Sequence, residues 1–254
     1  KGRQMAYIVA IDEGTTSTRA VLYDLEKNKI VAQKSSGIKQ IYPELGYVEE
    51  SAFEIYAETL ASLIEILESL DDISEVKGIG ITNQRETVIA WDKKTGKPLY
   101  NAIVWQCRRT AEFMERINEK YGELIHRKTG LVCDAYFSAS KMKWLIDNVP
   151  EIKAKNEKGE LCFGTVDSYL CYKLTNGKAF VTDVTNASRT MLFNLGTLSW
   201  DDELSEIFGI SKNSLPRIIM SDETVGEFEY KGVKIPVCGV AGDQQAALVG
   251  QGCL

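Results

Sequence analysis

The sequence predicts an α/β fold on two observations. Runs of strand-forming residues alternate with segments whose apolar residues recur every three or four positions, and the last strand-like run, "IPVCGVAG", passes directly into a helix-forming stretch at Asp243. At 254 residues the chain can bury a large core, as one large domain or two smaller ones.

The elements follow in order. "YIVAIDEGTTSTRAVLYD" holds two strand-like runs, 7–11 and 20–23, separated by an acid, a glycine and the hydroxyl residues Thr15, Thr16, Ser17 and Thr18. A third strand is expected from Ile30, after the polar turn "LEKNK". In "SAFEIYAETLASLIEILESL", Tyr56, Leu60, Leu63, Ile64 and Leu67 mark one face of a helix of about five turns, and Ser51 with Glu54 has the spacing of a capping box. "VKGIGIT" and "ETVIAWD" read as short strands, and "IVWQCRRTAEFMERINEKYG" as a strand leading into a helix. A helix at "SASKMKWLIDNV" stopped by Pro150, a strand at "ELCFGT", a short helix over 167–174 and a helix at "WDDELSEIFG" complete the order. The small-residue helix after Asp243 needs a surface to pack against, so the chain is expected to be part of a longer protein.

Composition narrows the function. With 30 basic and 36 acidic residues the net charge is −6 and like charges form no long run, which points to a small-molecule partner and away from nucleic acid or a membrane surface. No apolar stretch approaches the roughly 18–20 residues that span a bilayer, and the first residues lack the pattern of a signal peptide, so a cytoplasmic location is expected. The six cysteines form no CxxC pair and suit buried, reduced thiols. A single histidine, His126, argues against histidine-based catalysis or a His-rich metal cluster.

Four places carry chemistry. In the first turn, a glycine and hydroxyl side chains can converge on phosphate oxygens, and an acid at the strand end can face a magnesium ion; a plain hairpin with strand-forming threonines is the competing reading. It is neither a GxxxxGK[ST] nor a GxGxxG loop. In "ITNQRETVIAW" the residues Asn83, Gln84, Arg85 and Glu86 interrupt two apolar runs without the glycine of a tight hairpin. There an arginine fork beside a carboxylate suits a polyhydroxy ligand, and an exposed polar loop with an incidental ion pair is the alternative. Trp105 and Tyr136 stand at element ends, where aromatics pack in cores or cover a ligand's carbons. Asp243, between a strand and a helix, fits an N-cap or a proton acceptor at a strand's carboxyl end.

Together "DEGTTSTRA", "ITNQRET", "NAIVWQCRRTAE", "DAYFSASKMKW", "FGTVDSYL", "TNASRTMLFN" and "AGDQQAALVGQ" resemble the FGGY family of carbohydrate kinases, and within it the glycerol kinases, in the same order and over nearly the whole chain. The resemblance implies a ribonuclease-H-like, actin-like ATPase fold, a mixed sheet flanked by helices, in which residues 1–254 form the N-terminal domain with the polyol-binding half and the first phosphate loop. A C-terminal nucleotide-binding domain would lie outside this chain. By the same resemblance Thr15, Thr16, Ser17 and Arg19 contact nucleotide phosphates, and Asp12 faces Mg2+ directly or through water. Arg85, Glu86, Trp105, Tyr136, Asp243 and Gln244 bind glycerol, with Asp243 the general base. The implied reaction is ATP-dependent phosphorylation of glycerol, with ATP/ADP and Mg2+ as nucleotide and metal, in a homo-oligomer, dimer or tetramer. A related kinase for another polyol or ketose, and a polyol-binding module without catalysis, are the alternatives, and the chain by itself is expected to be inactive. Glu13 departs from the family's usual Gln and would place an extra negative charge near the phosphate site.

Overall fold

The computed structural model describes residues 6–253. Its centre is a six-stranded mixed sheet of β1 (Tyr7–Glu13), β2 (Ser17–Asp24), β3 (Lys29–Gly37), β4 (Val76–Asn83), β5 (Gly226–Tyr230) and β6 (Val233–Gly242), in the spatial order β5-β6-β4-β1-β2-β3. The first three strands form an antiparallel meander, β1, β4 and β6 run parallel, and β5 closes the far edge as a hairpin with β6. Parallel neighbours need long crossovers, and the segments between β1 and β4 and between β4 and β6 contain every α-helix but the last.

Alternation along the strands divides the two faces of the sheet. Val9, Ile11 and Glu13 on β1 stand opposite Leu22, Ala20 and Thr18 on β2, and all six are buried. Helix α1 (Ala52–Glu68) covers this face, fixed by a 3.1 Å hydrogen bond between the hydroxyls of Thr18 and Thr59. Its buried stripe of Ile55, Thr59, Ser62, Leu63, Ile66 and Leu67 is centred one position away from the periodicity read in the sequence, because the two hydroxyl residues belong to it. The capping box is half made: Ser51 Oγ accepts the Glu54 N–H at 3.2 Å, while the Glu54 carboxylate accepts the Lys39 N–H at 3.3 Å instead of returning to the cap.

Helices α2 (Ala111–Thr129), α3 (Ser138–Asn148), α4 (Pro150–Lys158) and α5 (Val166–Leu174) follow, then the four-residue α6 (Val184–Ala187), α7 (Asp202–Ile207) and, after β6, α8 (Asp243–Gly250). Pro150 does end α3, as the sequence predicts, but it also opens α4, because its missing N–H costs nothing at a helix's first position.

Two apolar cores result, and one pair of strands separates them. The strand Ile89–Asp92 pairs antiparallel with Leu161–Gly164. Ile89, Trp91 and Cys162 point into the core under the main sheet, while Val88, Ala90, Leu161 and Phe163 point into the core built with α2, α3 and α7. Trp91 is fully buried and meets the rings of Tyr169, Tyr172 and Phe180 at centroid distances of 5.2, 5.7 and 5.4 Å. Trp91→Ala is therefore expected to cost about 3–5 kcal/mol of stability, measured by urea unfolding; a loss below about 1 kcal/mol would show that the dividing wall does not depend on this ring.

Candidate active site at the strand ends

The three parallel strands end at one level. Glu13, Asn83 and Gly242 are cross-strand neighbours at the ends of β1, β4 and β6. Three segments therefore emerge side by side at the carboxyl edge, where α/β sheets gather ligands: residues 14–16, residues 84–87, and the start of α8.

The first segment is a tight turn in which the Gly14 N–H donates to the Ser17 carbonyl at 2.9 Å. Thr15 and Thr16 lie in the turn, whereas Ser17 and Thr18 are already in β2, so the hydroxyl run is shared between turn and strand. Arg19 lies on β2 directly opposite Asp12, which places both on the face away from α1. The Asp12 carboxylate has no hydrogen-bond or ion-pair partner among the described residues.

The second segment is not an exposed polar loop: Asn83, Gln84, Arg85, Glu86 and Thr87 are all buried. Each polar group has therefore to find a partner inside the protein. The side-chain amides of Asn83 and Asn186 exchange hydrogen bonds at 3.0 and 3.2 Å. The Gln84 N–H donates to the Glu13 carbonyl at 2.7 Å. Its side-chain Nε2 donates to Glu50 Oε2 at 2.9 Å, with longer contacts of 3.3 Å to Glu13 Oε2 and to the Gly14 carbonyl. Thr87 Oγ1 donates to Gln84 Oε1 at 2.8 Å and accepts the Trp105 N–H at 3.1 Å. Glu86 holds a φ of 60°, a left-handed conformation that costs a bulky residue of order 1–3 kcal/mol and clusters at functional sites.

From this turn two charged side chains diverge. Arg85 reaches α8, with Nε 3.2 Å from Asp243 Oδ1 and Nη1 donating to Gln245 Oε1 at 3.4 Å. The Nε contact attracts without the alignment of a hydrogen bond. Room for Arg85 depends on Gly242, where a Cβ would stand 2.4 Å from Arg85 Cδ. Asp243 Oδ1 also accepts the Gln244 N–H at 2.8 Å, and the Asp243 carboxylate is half-exposed at the helix start. Glu86 turns the other way, and its Oε1 accepts from Arg189 Nε at 2.6 Å. Burial pushes the Glu86 carboxyl up from its ordinary value, and Arg189, then Arg85 and Lys141, pull it back down.

The aromatic residues complete the arrangement. The rings of Trp105 and Tyr136 meet edge to face at 5.5 Å, and the Trp105 indole N–H donates to Thr15 Oγ1 at 2.9 Å, joining the aromatic pair to the first turn. Tyr136 sits in a turn fixed by its own N–H donating to Asp134 Oδ1 at 2.7 Å. Beneath that turn lies Lys141, a fully buried lysine whose Nζ donates to the carbonyls of Ala135, Tyr136 and Phe137 at 2.8, 2.6 and 3.1 Å. Burial lowers the Lys141 ammonium to about 7.

The structure thus gathers Thr15, Arg85, Glu86, Trp105, Tyr136 and Asp243 through direct contacts or shared turns. Gln244 is less integrated: Gln245, not Gln244, supplies the side-chain partner of Arg85. Arg189, Gln245 and Lys141 were not singled out in the sequence. Lys141 did leave a signal there, a charge on the apolar stripe of α3 with Met142 and Leu145; Arg189 lies in the segment "TNASRTMLFN" but outside any periodic pattern that would mark it by itself.

Glu13 resolves differently from its sequence expectation. Its carboxyl is fully buried and turned toward Gln84 and Glu50, away from the turn's surface. Burial first, then the nearby Glu50 charge, hold Glu13 well above the ordinary value of 4.5, and burial raises Glu50 to about 7. The carboxyl is thus held inside the protein beside Gln84 and Glu50, where burial favours its uncharged form. Since its folded pKa exceeds its unfolded one, folding takes up a proton above pH 4.5, and stability falls as pH rises from there toward the folded value. Glu13→Gln removes that loss, so its stability advantage over the native chain should grow as pH rises from about pH 5 to about pH 8. Thermal unfolding across that range checks it, and a difference that does not change with pH would show Glu13 to be ionised in the fold.

Comparison with known proteins agrees with this geometry. Residues 7–250 match the N-terminal domain of the FGGY family of carbohydrate kinases. A glycerol kinase of Bacillus thuringiensis (strain Al Hakam) is 50% identical over 252 residues, 97% of this chain and 51% of that protein. Among solved structures, Plasmodium falciparum glycerol kinase with ADP superimposes with a TM-score of 0.92 at 40% identity, covering 98% of this chain and 50% of its own. A ligand-bound xylulose kinase from Lactobacillus acidophilus gives 0.85 at 26% identity, covering 96% of this chain and 50% of its own. The chain spans about half the length of the curated relatives it matches. The mixed sheet with its flanking helices is the actin-like, ribonuclease-H-like fold expected from the sequence, and by the match over nearly its whole length the chain belongs to the FGGY family of carbohydrate kinases.

Proposed function

We propose that this chain is the N-terminal, polyol-binding half of an ATP-dependent glycerol kinase, which converts glycerol to glycerol 3-phosphate. The observation that carries the proposal is the placement of Arg85, Glu86 and Asp243 at the carboxyl edge of the sheet, with the aromatic pair Trp105 and Tyr136 tied to the first turn as an apolar wall. A small polyol needs that combination: a guanidinium donating to its oxygens, a carboxylate accepting from its hydroxyls, and aromatic faces over its carbons. The likeness to glycerol kinases supports glycerol over a longer polyol or a ketose.

The residues then have distinct tasks. Arg85 and Glu86 fix the substrate's hydroxyls so that one terminal hydroxyl lies against Asp243, which takes its proton as the oxygen attacks phosphorus. Thr15, Thr16 and Ser17 offer hydroxyl and N–H donors to the phosphates of ATP, and Arg19 adds a positive charge. The indole bond to Thr15 occupies that hydroxyl as an acceptor and leaves its O–H to donate outward. Asp12 fits a magnesium site of the kind Mg2+ favours, one carboxylate with water and substrate phosphates completing the shell, and its unpartnered carboxylate agrees with that role. Magnesium bound there would neutralise phosphate charge.

The rest of the nucleotide site is proposed to come from a second, C-terminal domain. An apolar groove of about 710 Å3 beside α8, lined by Ala10, Gly80, Thr82, Ala241, Leu248 and Val249, supports a further packing partner on that side. Alone, the chain is expected to bind glycerol without phosphorylating it efficiently. A homo-oligomeric enzyme acting in the cytoplasm belongs to the same proposal and rests on the likeness to glycerol kinases; no helix among the described residues is long and apolar enough to cross a membrane.

Calorimetric titration of glycerol into this chain tests the substrate, with xylulose as competitor and Arg85→Ala as control. Saturable glycerol binding that Arg85→Ala abolishes and xylulose does not match is expected; tighter binding of xylulose would transfer the proposal to a ketose kinase. In the complete two-domain protein, Asp243→Asn should lower kcat by roughly 10²–10⁴ while glycerol still binds, read by coupled ADP release. An unchanged kcat would remove Asp243 as the base.

A further inference from the structure

We propose that Arg189 is a positioning residue of the polyol site: it fixes the Glu86 carboxylate in the orientation from which it accepts substrate hydroxyls. The inference rests on the polyol reading above and extends it to a residue outside the turn.

Arg189 arrives by a two-point registration between remote segments. Asn83 pairs with Asn186, and three residues further along both segments Glu86 pairs with Arg189, so each pair is separated by 103 positions. The segment carrying Arg189 has little freedom. Its α6 is capped by the buried Asp183 carboxylate, which accepts from the Thr185 and Asn186 N–H groups, and the Thr190 carbonyl accepts the Ala139 N–H at 2.9 Å. The guanidinium lies 4.9 Å from the Phe137 ring centroid and 5.8 Å from that of Tyr136, which orients its plane.

Glu86 depends on this contact. Its side chain is 2% exposed and its backbone conformation is strained, and Ser138 Oγ donates to its carbonyl at 3.1 Å rather than to its carboxylate. The charged and titratable groups facing the carboxylate are Arg189 after α6, Arg85 on the same turn, Lys141 on α3 and Tyr136 before α3. Of these, Arg189 alone makes a direct ion pair with it, while Arg85 is turned toward Asp243 and Lys141 is occupied by three carbonyls. Without Arg189 a buried carboxylate is left uncompensated and takes up a proton. It then presents one O–H donor where a polyol's hydroxyls need an acceptor.

The test uses the complete protein carrying this chain and two readouts, an NMR titration of the Glu86 carboxyl and calorimetric glycerol affinity at several pH values. Arg189→Gln should raise the Glu86 midpoint by about one to three pH units and weaken glycerol binding roughly ten- to hundredfold at neutral pH. The deficit should shrink as pH rises and Glu86 ionises again. Arg189→Lys should give a smaller shift in the same direction, which keeps the test decisive if Arg189→Gln does not fold. Combined with Glu86→Gln, Arg189→Gln should add no further loss. An unmoved Glu86 midpoint in either variant, or full additivity with Glu86→Gln, overturns the proposal. Absence of glycerol binding in the unsubstituted protein, with a midpoint that still follows residue 189, would reject glycerol as the ligand and leave the control of Glu86 by Arg189 standing.

Discussion

Everything at this site depends on a polar turn buried at the junction of two apolar cores. Residues 83–87 leave the end of β4 and enter the strand that divides those cores, so they cannot turn outward to water. A buried amide or carboxylate without a partner costs several times what a made hydrogen bond contributes. The surrounding fold therefore supplies partners from many directions: Glu13 from β1, Glu50 ahead of α1, Asn186 and Arg189 in and after α6, and Gln245 on α8. Satisfying the turn is what brings these distant segments together.

The charges follow from the same constraint. Arg85 and Glu86 are adjacent in sequence yet do not neutralise each other, because the left-handed backbone at Glu86 sends the side chains apart. Each then takes a partner from another element, Asp243 and Gln245 on α8 for Arg85 and Arg189 after α6 for Glu86, so the fold fixes both charges. The aromatic pair Trp105 and Tyr136 has supports of its own, Lys141 under Tyr136 and Thr87 under the Trp105 backbone. Pre-organisation of this kind favours phosphoryl transfer, where the protein's task is mostly alignment. The indole bond to Thr15 carries that order across to the turn proposed to hold phosphate.

Much of this was legible in the sequence, for identifiable reasons. Runs of strand-forming residues located β1, β2 and β4, and the strand-to-helix change at Asp243 was visible because Gly242 separates the two patterns. The ligand-type residues could be found because polar side chains interrupted apolar runs. What stayed hidden needed three dimensions. Glu13 looked like a charge at the phosphate turn, and only its side-chain direction, toward Gln84, shows it buried, where the uncharged form is favoured. Arg189 became visible only through its register with Glu86. The α1 stripe was misplaced by one residue because Thr59 and Ser62, polar by type, are buried against the sheet.

The most direct measurement is residue-resolved amide hydrogen exchange of the ligand-free chain across residues 83–87. The Gln84 N–H, held by the Glu13 carbonyl at 2.7 Å, and the Thr87 N–H, held by the Arg85 carbonyl at 2.7 Å, should exchange as slowly as the neighbouring amides of β4. That result means the turn is built by the fold before any ligand arrives. Exchange at loop rates, slowing only when a polyol or nucleotide is added, would contradict the account and make the ligand, not the buried network, the organiser of the site.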